Sequence, residues 1–292
     1  MTAISEAAPP TITVGTRGGR WRRIVAYALL VGWALLMFVP FAWTIVTSLK
    51  ERPEAFSMSL PAMPDFEAYA EVWTSIDPGL PQMFANSLGV ALAVTGSNLL
   101  LGALAGYAFA RLRFPGREIF FLAILGTLMI PDQLRFVPVY LIERQLGLIT
   151  REPQNYLGVI LILAIEAQQL FLMRQYFLSI PRDLEEAAKI DGAGFFTTFL
   201  RVMLPLATPA LAAVAILAFQ GAWNGFFWPL LILQDQSHWT LPLGLFQFTQ
   251  EFLTFWPALM SVTVAAILPI LVIYIFFQRY FVASVAATGV KG

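Results

Sequence analysis

Six stretches of this sequence are each more than twenty residues long and carry at most two charged side chains. They are Ile24–Ser48, Met83–Ala110, Ile119–Tyr140, Tyr156–Phe177, Leu206–Leu233 and Pro257–Tyr280. About twenty mostly apolar residues cross the hydrocarbon of a bilayer as a helix, and backbone in lipid must satisfy its own hydrogen bonds. The expected fold class is therefore an all-α membrane protein with six transmembrane helices. Composition agrees: 58% of the 292 residues are hydrophobic and 12% charged, with mean hydropathy +0.72. Soluble domains carry about 25% charged residues. The third run is the least regular, because Pro131 and Pro138 must kink or break it.

The chain divides into a basic leader over 1–23, expected to be disordered, a membrane domain over 24–280 and a tail over 281–292. Arg17, Arg20, Arg22 and Arg23 precede the first run. That run is too long for the apolar region of a signal peptide, about 7–15 residues, so a retained helix is expected. Lys and Arg set orientation. Thirteen lie on one side of the six runs, including Arg111, Arg113, Arg117, Arg174, Arg182, Lys189 and Arg201, against five on the other. The richer side is expected to be cytoplasmic, with both termini there.

Some chemistry is excluded. There is no cysteine, hence no disulfide and no thiolate site. One histidine, His238, cannot form a multi-histidine metal centre, so no metal is expected. "GTRGGR" (Gly15–Arg20) lacks the Lys-Ser/Thr pair of a phosphate-binding loop. No nucleic-acid partner is expected; the lipid membrane is one. On the outer side, "FEAYAEVW" (Phe66–Trp73) has helical spacing and suits the membrane interface. The aromatic-rich loop Gln234–Trp256 suits anchoring there or contact with a partner.

Between the fourth and fifth runs lies a charged segment, 179–204, containing "LEEAAKIDGAG" (Leu184–Gly194). Pro181 can open a helix. Asp183, Glu185 and Glu186 then favour its first turns through the dipole, and Glu185 precedes Lys189 by four residues, a favourable pairing. Gly192 and Gly194 read as a stop. A second short helix, Phe195–Met203, is expected to end before Pro205. The apolar stripe is Leu184, Ala187, Ala188, Phe195, Phe196 and Phe199. Physics alone leaves two readings open: a solvated loop on the membrane surface, or a knob that docks a soluble partner.

The segment also resembles a known family. Glu186-Ala187-Ala188, three residues, Gly192, nine residues, Val202, one residue and Leu204-Pro205 follow the EAA pattern of bacterial ATP-binding-cassette (ABC) importer permeases, with Val for Ile the one departure. "NSLGVALAVTGSNLLLGALAGYAFARLRFPGR" (Asn86–Arg117), "GAWNGFFWPLLIL" (Gly221–Leu233) and "QRYFVASVAATGVKG" (Gln278–Gly292) resemble the carbohydrate-uptake branch, in particular its smaller, maltose-type permease subunit. The resemblance implies the type I importer permease fold in the bacterial inner membrane. It also implies a second permease subunit, two ATPase subunits holding ATP and magnesium, and an extracytoplasmic solute-binding protein. No cofactor is then expected on this chain, and no catalytic residue. The implied ATPase-coupling residues are Glu185, Glu186, Ala187, Ala188, Asp191, Gly192 and Pro205, with the tail Gly289–Gly292 a further contact. The implied cargo is a sugar or oligosaccharide, or alternatively glycerol-3-phosphate or another polyol.

Polar residues inside spans are costly and are often functional. Those here are Asn98, Glu166, Gln168, Gln169, Gln220 and Asn224. Gln220, Trp223 and Asn224 fall three and four apart, so one helix face could present them to a solute. Trp228 could stack on a sugar. Arg135 could bind a phosphate or hydroxyl, or pair with Asp132 or Glu143. The competing use of all these groups is interhelical bonding and packing. A stand-alone secondary transporter is the alternative from another class, but it usually shows paired broken helices in two repeats, and no repeat is evident. A membrane enzyme would need a cluster of nucleophile, base or metal ligands that this sequence lacks.

Overall fold

The computed structural model describes residues 19–74, 78–149, 154–251 and 256–289. The helices are α1 (Gly19–Ser48), α2 (Glu67–Thr74), α3 (Leu80–Arg111), α4 (Arg117–Thr127), α5 (Asp132–Gln145), α6 (Gln154–Ile162) and α7 (Ala167–Ser179). They continue with α8 (Asp183–Ile190), α9 (Phe195–Thr198), α10 (Leu204–Leu206), α11 (Thr208–Trp223), α12 (Phe227–Ile232), α13 (Leu241–Glu251) and α14 (Trp256–Gly289). No strand occurs among the described residues. Among the described residues three helices are long and apolar enough to cross a membrane alone, α1, α3 and α14; the count reaches six if each of three bent helix pairs is one span.

Those bends correct the picture of six simple spans. α4 and α5 meet at 103°. Pro131 caps α5 in an extended conformation, which stops α4, while Pro138 stays inside α5. An 11-residue α4 is about 16 Å long, half the hydrocarbon thickness. α6 and α7 are bent by 46°, although no proline or glycine lies between Leu163 and Glu166. The fifth run ends its main helix at Trp223 and resumes at Phe227. At the chain ends, α1 begins at Gly19, so Arg20, Arg22 and Arg23 are helical and not part of a disordered leader. α14 continues past the expected boundary to Gly289. Arg17, the tip of the second outer loop at 252–255 and the tail from 290 lie outside the described residues.

α3 is the central post and packs mainly on α7 and α11. α7 comes so close that a Cβ on Gly106 would lie 2.6 Å from the Met173 Cβ. Gly102, four residues earlier, faces open space, so only one glycine of this GxxxG spacing serves the crossing. Two apolar clusters line the post. One gathers Met83, Val94, Phe219, Trp223, Ile232, Leu241 and Val262. The other gathers Tyr107, Met173, Phe177, Phe199, Met203 and Val214. α2 inserts Ala68 and Val72 into the first cluster, so it is packed on the bundle. Lys50 is buried at the end of α1, donates to the Ser57 carbonyl at 2.7 Å and lies over the Trp43 ring. α1 and α14 cover one flank, and Leu29, Trp33 and Phe38 of α1 are all more than 60% exposed. A surface that apolar is stable against lipid or another apolar helix, not against water.

Candidate functional site

The two ends of α3 anchor two different structures. Near its start, Asn86 donates to the Ser237 and Trp239 carbonyls, each at 3.0 Å, and the Ser87 hydroxyl accepts the Leu241 N–H at 2.7 Å. Trp239 turns its indole N–H to the Leu233 carbonyl. The visible part of the loop after α12 is thereby fixed to the bundle. Near the other end, 25 residues and about 37 Å away, Arg111 holds the charged segment.

α8 forms as its sequence dictates. Three acids occupy its first turn and Lys189 its last. Gly192 then takes φ +79°, the Ala193 N–H bonds back to the Ala188 carbonyl, and the Gly192 N–H bonds to that of Lys189. This six-to-one plus five-to-two pair is a Schellman stop. Gly194 caps the next helix in an extended conformation. That helix does not end before Pro205. It widens to a π turn over Phe199–Met203 and passes through Pro205 to Leu206. Pro205 has no N–H and crowds the carbonyl four residues earlier; a π turn takes up that mismatch. The next helix, α11, leaves at 76°.

Which side chains face in and which face out is decided by α3. Glu185 does not pair with Lys189. It turns inward to Arg111, Nε to Oε1 3.3 Å, with the two side chains 4% and 13% exposed for Arg111 and Glu185 respectively. Arg111 also donates to the Phe177 carbonyl at 2.7 Å and to that of Ile180. One guanidinium thus joins α3, the end of α7 and α8. Tyr107 adds an aromatic seat, with its ring 5.4 Å from Phe177, 5.4 Å from Phe195 and 5.0 Å from Phe199. Ala188 is buried. Glu186, Ala187, Asp191 and Gly192 are exposed, as are Ile190 at 86% and Phe196 at 69%. The sequence had marked Arg111 only as one of the topology-setting cations; its role as a clamp depends on three partners 66, 69 and 74 residues away in the chain.

Two of the bends, α4–α5 and α6–α7, meet the α11–α12 break in one place, whereas the 76° bend before α11 lies elsewhere. A cavity of about 390 Å³ is lined by Pro131, Asp132 and Arg135 from the α4–α5 break, Leu163, Glu166 and Gln168 from the α6–α7 break, and Trp228 after the α11–α12 break. A smaller cavity of about 220 Å³ shares Asp132, Leu163, Glu166 and Trp228 and adds Gly221 and Gly225. Irregular backbone at membrane depth survives only where protein covers it or a polar cavity adjoins it. Asn98 supplies the cover. It is fully buried, donates to the Leu163 carbonyl at 2.7 Å and accepts the Glu166 N–H at 3.0 Å.

The expected solute-facing residues separate accordingly. Arg135 and Trp228 line the cavity, together with Glu166 and Gln168. Arg135 bonds to Asp132 and not to Glu143. Trp228 meets Phe136 edge-on at 5.0 Å. Gln220 and Asn224 are exposed on the outside of α11. Trp223 does not share their face: it is 2% exposed, stacks on Phe219 and donates its indole N–H to Ala266 at 3.0 Å. It packs α11 against α14. Asn98 likewise serves the backbone. Among the described residues no group of three or more His, Asp or Glu is placed to hold a metal.

Comparison with known proteins identifies the family. The permease protein NgcG of a diacetylchitobiose uptake system in Streptomyces coelicolor is 36% identical over 90% of this chain and 87% of its own. The permease protein AraQ of an arabinooligosaccharide transport system in Halalkalibacterium halodurans is 34% identical over 92% and 98%. Permeases named for sn-glycerol-3-phosphate, such as UgpE of Rhizobium meliloti, also match at 30%. A chain from the crystal structure of a bacterial ABC transporter that imports the acidic polysaccharide alginate superposes with TM-score 0.76 and 27% identity, over 91% of this chain and 99% of that one. Residues 98–287, which hold the convergent breaks and the α8 segment, match the family described as binding-protein-dependent transport system inner membrane component. The chain belongs to that family and is a permease of the inner membrane.

Proposed function

We propose that this chain is the smaller permease subunit of an ABC importer for a sugar or oligosaccharide, forming half of the translocation path with a second permease subunit. The carrying observation is the convergence of three helix breaks on one polar cavity, while the same bundle clamps an exposed, charged helix pair at its other end. The cavity lies beside Asn98, midway along α3, where a path through the bilayer needs polar groups. Its walls offer Asp132, Glu166 and Gln168 as hydroxyl partners and Trp228 as an apolar face, a mixture suited to sugars. A phosphate ester fits less well, since the Arg135 charge is already committed to Asp132.

In this reading α8 lies in the cytoplasm and two ATPase subunits supply ATP hydrolysis. Glu186 meets a basic residue of the ATPase, exposed Ala187 allows close backbone approach, and Phe196 and Ile190 bury apolar area against it. Glu185 and Arg111 carry the movement to α3 and α7. An extracytoplasmic solute-binding protein delivers the cargo at the face bearing Gln234–Trp239. The test is co-purification and uptake. Glu186→Lys should leave membrane insertion intact, release the ATPase subunits in mild detergent and abolish uptake. Retained ATPase and normal uptake would sink the docking assignment. A binding screen on the partner binding protein, comparing oligosaccharides with glycerol-3-phosphate, decides the cargo.

A further inference from the structure

We infer that the α3–α4 corner is a binding site for the phosphate headgroup of an anionic lipid. A groove of about 740 Å³ opens there, lined by Arg111, Arg113, Arg117 and Arg182. The one acid in its wall among the described residues, Glu118, is held by Arg117 at 2.7 Å and by Arg174 at 3.0 Å. Arg111 is occupied by Glu185. Arg113 and Arg182 remain: both are exposed, and among the described residues no carboxylate lies within ion-pair distance of either. Two uncommitted guanidiniums on one groove are a fork for phosphate oxygens.

The backbone adds to this. Gly116, at φ +77°, turns the chain so that α4 starts in the groove wall, and Arg117, Glu118 and Ile119 of its first turn line it. The Arg117 N–H is taken by the Phe114 carbonyl, while those of Glu118 and Ile119 have no acceptor within the helix, and such groups favour anions.

Position selects lipid over an acidic protein surface. The five-residue connection between α3 and α4 joins two membrane segments, so the groove sits at the boundary of the bilayer. The α4 surface that leaves it is bare and apolar: Ile119 is 74% exposed, Phe120 59% and Leu122 63%. A headgroup in the groove would lay its acyl chains along those residues. Basic pockets at such boundaries suit anionic headgroups.

The test uses the full-length chain, purified in detergent, delipidated and offered phosphatidylglycerol or phosphatidylcholine, with bound lipid counted by native mass spectrometry. Wild type should retain phosphatidylglycerol in preference to phosphatidylcholine. Arg113→Gln with Arg182→Gln should weaken that retention roughly thirtyfold, while Arg113→Lys with Arg182→Lys keeps most of it. Should the double glutamine variant fail to fold, Arg113→Gln alone, at an exposed residue, serves. Inorganic phosphate at millimolar concentration should not displace the lipid. No lipid preference in wild type, unchanged retention in the glutamine variants, or full displacement by inorganic phosphate would each overturn the proposal. So would unchanged lipid retention with loss of a co-purifying soluble subunit, which would make the groove a protein dock.

Discussion

Arg111 and Glu185 form an ion pair 3.3 Å apart across a joint that joins the central membrane helix to the exposed α8 segment. Both side chains are largely withdrawn from water. Such a pair adds little stability compared with apolar packing, but removing one partner strands a buried charge and costs about 3–5 kcal/mol. Glu185→Ala and Arg111→Ala should therefore each lower the melting temperature of the purified protein and impair uptake. The double variant should lose less than the sum of the two. Additive losses in a double-mutant cycle would contradict the pairing. Arg111→Lys should substitute poorly, because a compact ammonium lacks the planar fork that spreads donors between Glu185 and the two carbonyls of Phe177 and Ile180.

At the α3–α7 crossing, Gly106 leaves no room for a side chain against Met173. Gly106→Val should cost at least the roughly 1–3 kcal/mol of an overpacked core and reduce folded yield. Gly102→Ala, on a position facing open space, should be tolerated. Equal melting temperatures for the two variants would show that the close approach does not matter.

Asn98 answers the backbone groups released where α6 meets α7. Asn98→Leu keeps the branched shape at a larger volume and removes the bonds, leaving the Leu163 carbonyl and Glu166 N–H unsatisfied at about 1–3 kcal/mol each. The expected outcome is a clear loss of thermal stability together with impaired uptake. Asn98→Asp can still accept from Glu166 and should be intermediate in amide exchange at Glu166. Unchanged exchange at that amide in Asn98→Leu would remove this account of the bend.

Trp223 and Trp228 should part company. Trp223→Phe loses its bond to Ala266, roughly 1 kcal/mol of stability, with little change in the solute concentration for half-maximal uptake. Trp228→Ala opens the wall shared by both cavities and should raise that concentration while ATPase co-purification is unchanged. If Trp223→Phe shifts the half-maximal concentration and Trp228→Ala does not, the division between packing and path is wrong.

The sequence by itself determined what depends on neighbours a few residues apart. Hydropathy over windows of about twenty residues located the membrane segments, because the transfer free energy of a helix is a local sum. The spacing from Glu186 to Pro205 exposed the α8 segment, and Gly192 its stop, because caps and turns are short-range geometry. Pro131 announced one break. The tertiary structure alone decided the rest. The α6–α7 bend carries no proline or glycine, since its cause is Asn98, some 65 residues earlier in the chain. Glu185 had a favourable local partner in Lys189, yet buried Arg111 took it, because a desolvated guanidinium demands a counter-charge more strongly than a solvated lysine does. Gln220, Trp223 and Asn224 looked like one face by helical spacing. Packing of α11 against α14 drew the tryptophan into the core and left the two amides outside. Periodicity can group residues on a helix, but it cannot say which neighbour that helix will meet.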